Sequence, residues 1–185
     1  MKSARYDITN ALIHLTGDRK AEGGISAEDA LCEILKNKEI RGSSTPGYIR
    51  SGHTAACLTE MPLKAIDIFI TEHKGKKKFS NHGIAMHKQT GWQCGARPVI
   101  YLPEAEAQWI PAEQKWRHVT YDLGSIDWTH EREWRALDRL NFSDHPFYII
   151  VPNSETEHRI RATVGNEGLK NAVGFLHLNY LLDIL

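Results

Sequence analysis

The stretch WTHEREWRAL, residues 128–137, alternates charged and apolar side chains in the way of a β-strand whose two faces differ. On such a strand Glu131, Glu133 and Arg135 share one face. Trp134 lies on the other face, where we expect it to be buried. Two neighbouring carboxylates tend to raise the pKa of one of them, while the arginine opposes that change. This group can act as an acid, a base or the stabiliser of a cation, or it can be a solvent-exposed charged ladder. The residues leave both interpretations open.

Outward from this stretch, the second half of the chain is rich in short strand-like runs separated by Gly, Pro, Asn and Asp. At the C-terminus, GFLHLNYLLDIL (174–185) predicts either a last strand followed by a helix or one helix. The other strand-like runs are HGIAMHK (82–88), RPVIYL (97–102), WRHVTY (116–121) and FYIIVP (147–152).

The first half of the chain predicts two strands, each followed by a helix. ALIHLT (11–16) is a strand, and the helix after it begins with Ser26 as its N-cap. TAACLT (54–59) is a buried strand, and Pro62 suits the first turn of the helix that follows directly. Helices first and strands later predict an α+β fold. We expect a single domain over residues 1–185, with a mixed, mostly antiparallel sheet and helices from the N-terminal half.

The composition excludes several classes of protein. With 23 basic and 23 acidic side chains in 185 residues, no overall charge announces nucleic acid. No apolar run approaches the ~20 residues of a membrane span, and the N-terminus lacks the apolar core of a signal peptide. Three widely spaced cysteines predict reduced thiols. We therefore expect a cytoplasmic protein without membrane contact. A local basic run is either a solvated loop or a contact for nucleic acid phosphates, and it contains Lys74, Lys76, Lys77 and Lys78.

Two further polar positions stand beside predicted strands. Glu60 lies where a strand runs into a helix, and the free N–H groups of a helix start attract anions. Its carboxylate is either a favourable first-turn acid or a rigid group beside a pocket. His14 and Thr16 share one face of the first strand, where a histidine is either a core residue or a ligand. The ten histidines show no zinc-binding spacing, so we predict no metal site. The common phosphate-loop, dinucleotide and hydrolase motifs are missing from the sequence.

The order of these segments resembles a bacterial family of abortive phage resistance proteins of the AbiGi antitoxin type. That family shows a CFTE-x-PL stretch, then GI-x-F, ARPV-x-Y and W-x-x-EREWR. This chain has AACLTEMPL, HGIAMHK, GARPVIYL and DWTHEREWRAL in the same order, within residues 8–152. Leu58 and Met86 stand where the family has aromatic residues. Both differences concern packing and remove no charged group.

The resemblance implies a role in phage defence, of the toxin–antitoxin kind, with a toxin, an antitoxin or a phage trigger as protein partner. The layout is also similar to the DarT branch of the ADP-ribosyltransferases, which implies NAD as a substrate. By that similarity His14, Thr16 and Arg135 contact NAD. Glu133 or Glu131 then orients the nucleophile and supports the positively charged ribose.

Two other classes of function stay open. A non-enzymatic antitoxin or sensor would bind a protein partner through the charged strand. A metal-dependent nuclease would need Glu60, Glu131 and Glu133 to converge on a divalent ion. For an enzyme, we expect Glu60 and at least one of the other two glutamates to face one pocket. We expect Glu133, beside Trp134, to be the chemical residue, and Glu131 to pair with an arginine.

Overall fold

The computed structural model describes residues 9–18, 24–43, 49, 52–72 and 80–184. These residues form a seven-stranded sheet, two small two-stranded sheets, and helices on both faces of the large sheet. The strands are β1 Ala11–Leu15, β2 Glu39–Arg41, β3 Ala55–Thr59, β4 Gly83–His87, β5 Arg97–Pro98, β6 Ile100–Leu102, β7 His118–Thr120, β8 Glu133–Leu137, β9 Arg139–Asn141, β10 Phe147–Val151 and β11 Ala172–His177.

The helices between these strands are mostly short. Three of them are 3-10 helices, at Glu104–Trp109, Ala112–Arg117 and Thr129–Glu131. The α-helices are α1 Ala27–Asn37, α2 Leu63–Glu72, α3 Lys88–Gln93, α4 Ser154–Leu169 and α5 Leu178–Leu182.

The large sheet has the strand order β11-β10-β4-β1-β3-β8-β5. Its pairs are antiparallel except β10 and β11, which are parallel and joined through α4. The centre of the sheet is its weakest junction. In the described chain β1 and β3 pair only at Ile13 and Thr59, whereas β1 pairs with β4, and β3 with β8, at five positions each. The two central strands therefore part beyond this pair.

Alternation along the strands produces two cores. One face of the sheet packs against α1 and α4, and its buried side chains include Leu12, Leu58, Ile84, Trp134 and Ile149. The other face packs against α2 and α5, and its buried side chains include Ile13, Ile66, Phe69, Ile150 and Leu178. This second core covers only part of its face, because β3 and β8 continue beyond it.

The predicted α1 is confirmed together with its cap. The Ser26 hydroxyl accepts the N–H of Asp29 at 3.1 Å, a cap worth about 1 kcal/mol. The helix ends at Lys38, which has a left-handed backbone with φ of 52°. Its buried ammonium donates to the carbonyls of Leu35 and Gly168 and so joins the ends of α1 and α4. Burial lowers the pKa of Lys38.

The mixed α/β class with a mostly antiparallel sheet is confirmed, and so is the strand-then-helix alternative at the C-terminus. The expectation that helices come from the N-terminal half is wrong, because the 16-residue α4 lies in the second half. That helix is polar, and its buried residues form one narrow stripe at a spacing of four. They are Thr156, Ile160, Val164 and Gly168.

The charged strand begins two residues later than predicted. Glu131 closes a 3-10 turn, and Arg132 has a left-handed backbone with φ of 45°, so regular alternation starts only at Glu133. The prediction that Trp134 is buried is confirmed, since its exposed fraction is 8%. Among the described helices, none has the length and apolar character that crossing a membrane requires.

Candidate active site

A cleft of about 260 Å³ opens on the second face of the sheet, beside the point where β1 and β3 part. Its walls are mostly apolar and include two aromatic side chains, Phe69 and Trp128. Strand β8 supplies the charged side of the cleft. The polar residues that line it are His14, Arg41, Ser43, Cys57, Thr59, Glu131, Glu133 and Arg135.

Strand register explains why these residues meet. Thr59 lies opposite Glu133, and Cys57 lies opposite Arg135, in the antiparallel pair of β3 and β8. Directly opposed residues project from the same face, so all four side chains point towards the cleft. Thr59 also fixes the preceding turn, since its hydroxyl donates to the carbonyl of Glu131 at 2.5 Å.

His14 lies across the opening between the central strands. Its Nδ1 is 2.8 Å from the carbonyl oxygen of Cys57. A carbonyl oxygen only accepts, so Nδ1 carries the proton of this bond. The imidazole thus replaces the ladder hydrogen bonds that β1 and β3 do not make here, and it contributes to the lining of the cleft.

Glu133 and Arg135 form a two-point ion pair at the base of the charged side. Nε of Arg135 is 2.9 Å from Oε1 of Glu133, and Nη2 is 3.0 Å from Oε2. Nη1 donates to the carbonyls of Trp116 at 2.9 Å and His118 at 3.3 Å. Burial disfavours the charge of Arg135, but the carboxylate outweighs this cost, and the pKa of Arg135 is raised. The pair therefore holds an ionised carboxylate in a fixed orientation.

Two neutral groups surround the ion pair. Burial, reinforced by the charge of Glu133, raises the pKa of the Cys57 thiol well above its ordinary value. The thiol is therefore protonated and a poor nucleophile. The hydroxyl oxygen of Tyr101 accepts the N–H of Glu133 at 3.2 Å. Burial raises the pKa of Tyr101 to about 12, so this hydroxyl is also neutral.

The structure brings together four of the six predicted site residues, since His14, Glu131, Glu133 and Arg135 all line the cleft. The roles of the two glutamates in ion pairing differ from the prediction, however. We expected Glu131 to pair with an arginine, but Glu133 holds Arg135. The reason is the late start of β8, which leaves Glu131 in the turn and puts Glu133 on the same strand face as Arg135.

Glu60 does not share the cleft, and the prediction that it does is wrong. Its Oε2 accepts from the indole Nε1 of Trp134 at 3.0 Å and lies 2.6 Å from Nζ of Lys88. Trp134 points to the face opposite Glu133, because the two residues are neighbours on one strand. Glu60 therefore joins the loop after β3 to α3 and the large core. In the described residues, no group of three or more His, Cys, Asp or Glu side chains is arranged to hold a metal ion.

Thr16 also lies away from the cleft. It is buried, and its hydroxyl is within hydrogen-bond distance of the carbonyls of Ala27 at 2.9 Å and His82 at 3.2 Å. Both contacts tie the end of β1 to neighbouring elements, so the side chain is occupied structurally. The lysines proposed to contact nucleic acid, Lys74, Lys76, Lys77 and Lys78, lie outside the described residues.

Sequence reasoning missed Cys57, Tyr101 and Trp128 as parts of the site. Cys57 could have been found, because it alternates with Thr59 on a predicted strand. Trp128 stands inside the charged stretch but precedes the strand, where alternation says nothing about direction. Tyr101 reaches Glu133 through the order of strands, which no local pattern encodes.

Comparison with known proteins leaves the interpretation to the site itself, since no protein-family model, no curated protein and no solved structure matches the chain.

Proposed function

We propose that the cleft binds NAD and transfers its ADP-ribose group, and that the protein acts in phage defence. One observation carries the proposal. An ionised carboxylate, Glu133, is fixed at the charged side of a mostly apolar cleft that opens between parted central strands. The resemblance of the sequence motifs to abortive phage resistance proteins supplies the biological setting, and the similarity in layout to the DarT branch supplies NAD.

The shape and lining of the cleft suit the nicotinamide end of NAD. A volume of about 260 Å³ lies just below the usual range for ligand pockets, so it encloses part of a dinucleotide. Phe69 and Trp128 offer apolar, planar contacts to an aromatic ring. Polar groups of His14 and Glu131 are available along the lining to orient a ribose or an amide.

The reaction needs negative charge beside the ribose. When the glycosidic C–N bond breaks, its electron pair leaves with nicotinamide, which becomes neutral, and positive charge develops on the ribose. A fixed carboxylate stabilises this charge without having to reorganise. Glu133 has that property because Arg135 fixes both of its oxygens. The nucleophile of the acceptor then bonds to the ribose carbon and gives up its proton.

Binding is tested by the melting temperature of the purified protein with NAD, with Mg²⁺ and with Mn²⁺. A ligand that binds only the folded state raises the melting temperature. We expect stabilisation by NAD and none by either metal ion. Trp128→Ala should abolish the NAD effect, while Trp109→Ala, at an exposed site outside the cleft, should preserve it.

Two results of this experiment contradict the proposal. Stabilisation by the metal ions alone favours a nuclease, and no stabilisation by any of the three favours a non-enzymatic antitoxin or sensor. An NAD effect that survives Trp128→Ala would place NAD at a site other than the cleft.

A further inference from the structure

A second polar surface lies at the edge of the large sheet, on α3 and β5. Half of the Trp92 side chain is exposed, with an exposed fraction of 50%. The guanidinium carbon of Arg97 lies 3.8 Å from the centre of a Trp92 ring, so the two groups are stacked. Nη1 of Arg97 donates to the carbonyls of Trp92 at 2.9 Å and Ala96 at 2.7 Å. These bonds hold the guanidinium flat on the indole.

A second guanidinium stands beside the first. Nε and Nη2 of Arg117 donate to the carbonyl of Pro98 at 3.2 and 3.1 Å. The two arginines are close enough to repel each other, since burial and the charge of Arg97 together lower the pKa of Arg117. The backbone of β5 thus fixes two like charges at one end of the sheet.

Neither charge is neutralised by a carboxylate in the described part of the chain. Arg97 and Arg117 donate to carbonyl oxygens. Five other arginines are instead paired with glutamates. They are Arg41, Arg135, Arg139, Arg159 and Arg161. Two fixed and uncompensated guanidiniums therefore form an anion-binding surface rather than an internal ion-pair network.

The stacked indole narrows the kind of anion. Guanidinium planes and aromatic rings stack on nucleic acid bases, and a guanidinium also binds phosphate at two points. A carboxylate peptide would use the charges but not the planar shelf. A duplex keeps its base faces covered, so only an unpaired base can reach the shelf.

We propose that Trp92, Arg97 and Arg117 form a surface that binds single-stranded nucleic acid, with a base on the Trp92–Arg97 stack and a phosphate at Arg117. This surface is separate from the cleft. Trp92 packs edge-on against Trp134, with ring centres 6.4 Å apart, and Trp134 belongs to the face opposite Glu133. The inference is independent of the proposed NAD chemistry.

Fluorescence anisotropy of labelled twelve-nucleotide oligo-dT and oligo-rU tests the surface, without NAD, over a range of salt concentrations. We expect the wild type to bind at least one of the two single strands. Arg97→Gln with Arg117→Gln should weaken binding at least tenfold and flatten the logarithmic salt dependence by about 1.4, since each lost phosphate contact removes about 0.7 for single strands. Trp92→Leu should weaken binding about tenfold.

Matched controls separate this surface from general charge and aromaticity. Arg139→Gln removes an exposed arginine that is paired with Glu39, and Trp109→Ala removes a tryptophan with an exposed fraction of 67%. Both should bind like the wild type. Melting temperatures identify any variant that fails to fold, and the double arginine variant decides the matter if Trp92→Leu unfolds.

The proposal is overturned by any of four results. The wild type binds neither strand, the folded double variant binds unchanged, a control loses as much affinity as the double variant, or a duplex binds more tightly than either strand. None of these results bears on NAD, so this surface and the cleft fail or stand separately.

Discussion

At the scale of single residues, Glu133 has two tasks. Its carboxylate faces the cleft, and it also neutralises Arg135, of which only 2% is exposed. Substituting Glu133 therefore changes folding as well as chemistry, because a buried guanidinium without its partner is costly. Any experiment on this residue has to separate the two effects.

We predict that Glu133→Gln lowers the free energy of unfolding by about 3 kcal/mol, as expected for one partner lost from a buried pair. Glu133→Gln combined with Arg135→Met should recover part of that loss, because the unpaired charge is removed as well. Urea unfolding of the two single variants and the double variant measures the coupling. Strictly additive losses would contradict the ion pair.

His82 gives a prediction about pH. Its Nδ1 lies 3.0 Å from the hydroxyl oxygen of Ser80, and its Nε2 is buried with no hydrogen-bond partner among the described residues. Burial lowers the pKa of His82, opposed by Glu28 and Asp18 and reinforced by Arg159. The unfolded chain then takes up this proton more readily than the folded protein does.

The stability that neutral His82 contributes is therefore present above the unfolded pKa of about 6.5 and is lost as pH falls through the folded value. We expect the free energy of unfolding to fall less between pH 7.5 and pH 5 for His82→Asn than for the wild type. His158→Asn, at an exposed position, is the control and should follow the wild type. Identical pH profiles for His82→Asn and the wild type would rule out this role.

At the scale of elements, strand β8 joins the core to the site. Its alternation places Trp134 and Ala136 in the large core and leaves Glu133 and Arg135 on the cleft face. The Trp134 indole is further fixed by its bond to Glu60. Packing on one face of the strand thus fixes the geometry of the other face.

We predict that Trp134→Ala costs about 3–5 kcal/mol of unfolding free energy, the usual range for a large aromatic residue removed from a core. Trp109→Ala is the control, because that side chain is exposed and should change stability by less than about 0.5 kcal/mol. Chemical denaturation measures both. A loss under about 1 kcal/mol for Trp134→Ala would contradict its core role.

The sequence predicted local elements well where one signal dominated. Ser26 and the apolar stripe after it specified α1, and alternation placed Trp134 in the core. Prediction failed where tertiary packing decides. Helix α4 buries one narrow stripe, so its sequence reads as polar. Glu60 is drawn away from the cleft by Lys88 and Trp134, which no local pattern connects with it.

At the scale of the whole molecule, the sheet divides at its centre, and the cleft lies at that division. Strands β1 and β3 meet at one residue pair, and His14 bridges the gap beside it. A sheet closed along its full length would leave no room there for a ligand. The candidate site is therefore a property of the strand order and not of any one motif.

We predict that Glu133→Asp abolishes phage protection in cells while the purified variant melts close to the wild-type temperature. Aspartate keeps the charge that Arg135 needs, but its shorter side chain withdraws the carboxylate from the cleft. Glu106→Gln, at an exposed glutamate outside the cleft, should protect like the wild type. Full protection by a folded Glu133→Asp variant would contradict a chemical role for Glu133.

Release of nicotinamide from NAD by the purified protein is the most direct measurement of the central claim. The account predicts release by the wild type and by Glu106→Gln. It predicts a loss of at least a hundredfold for Glu133→Asp at an unchanged melting temperature, the size expected when a fixed charge at the developing cation is displaced. Since transfer to an acceptor also liberates nicotinamide, cell extract is added as the source of acceptor. No nicotinamide release by the folded wild type with the extract present, or equal release by Glu133→Asp, would contradict the account.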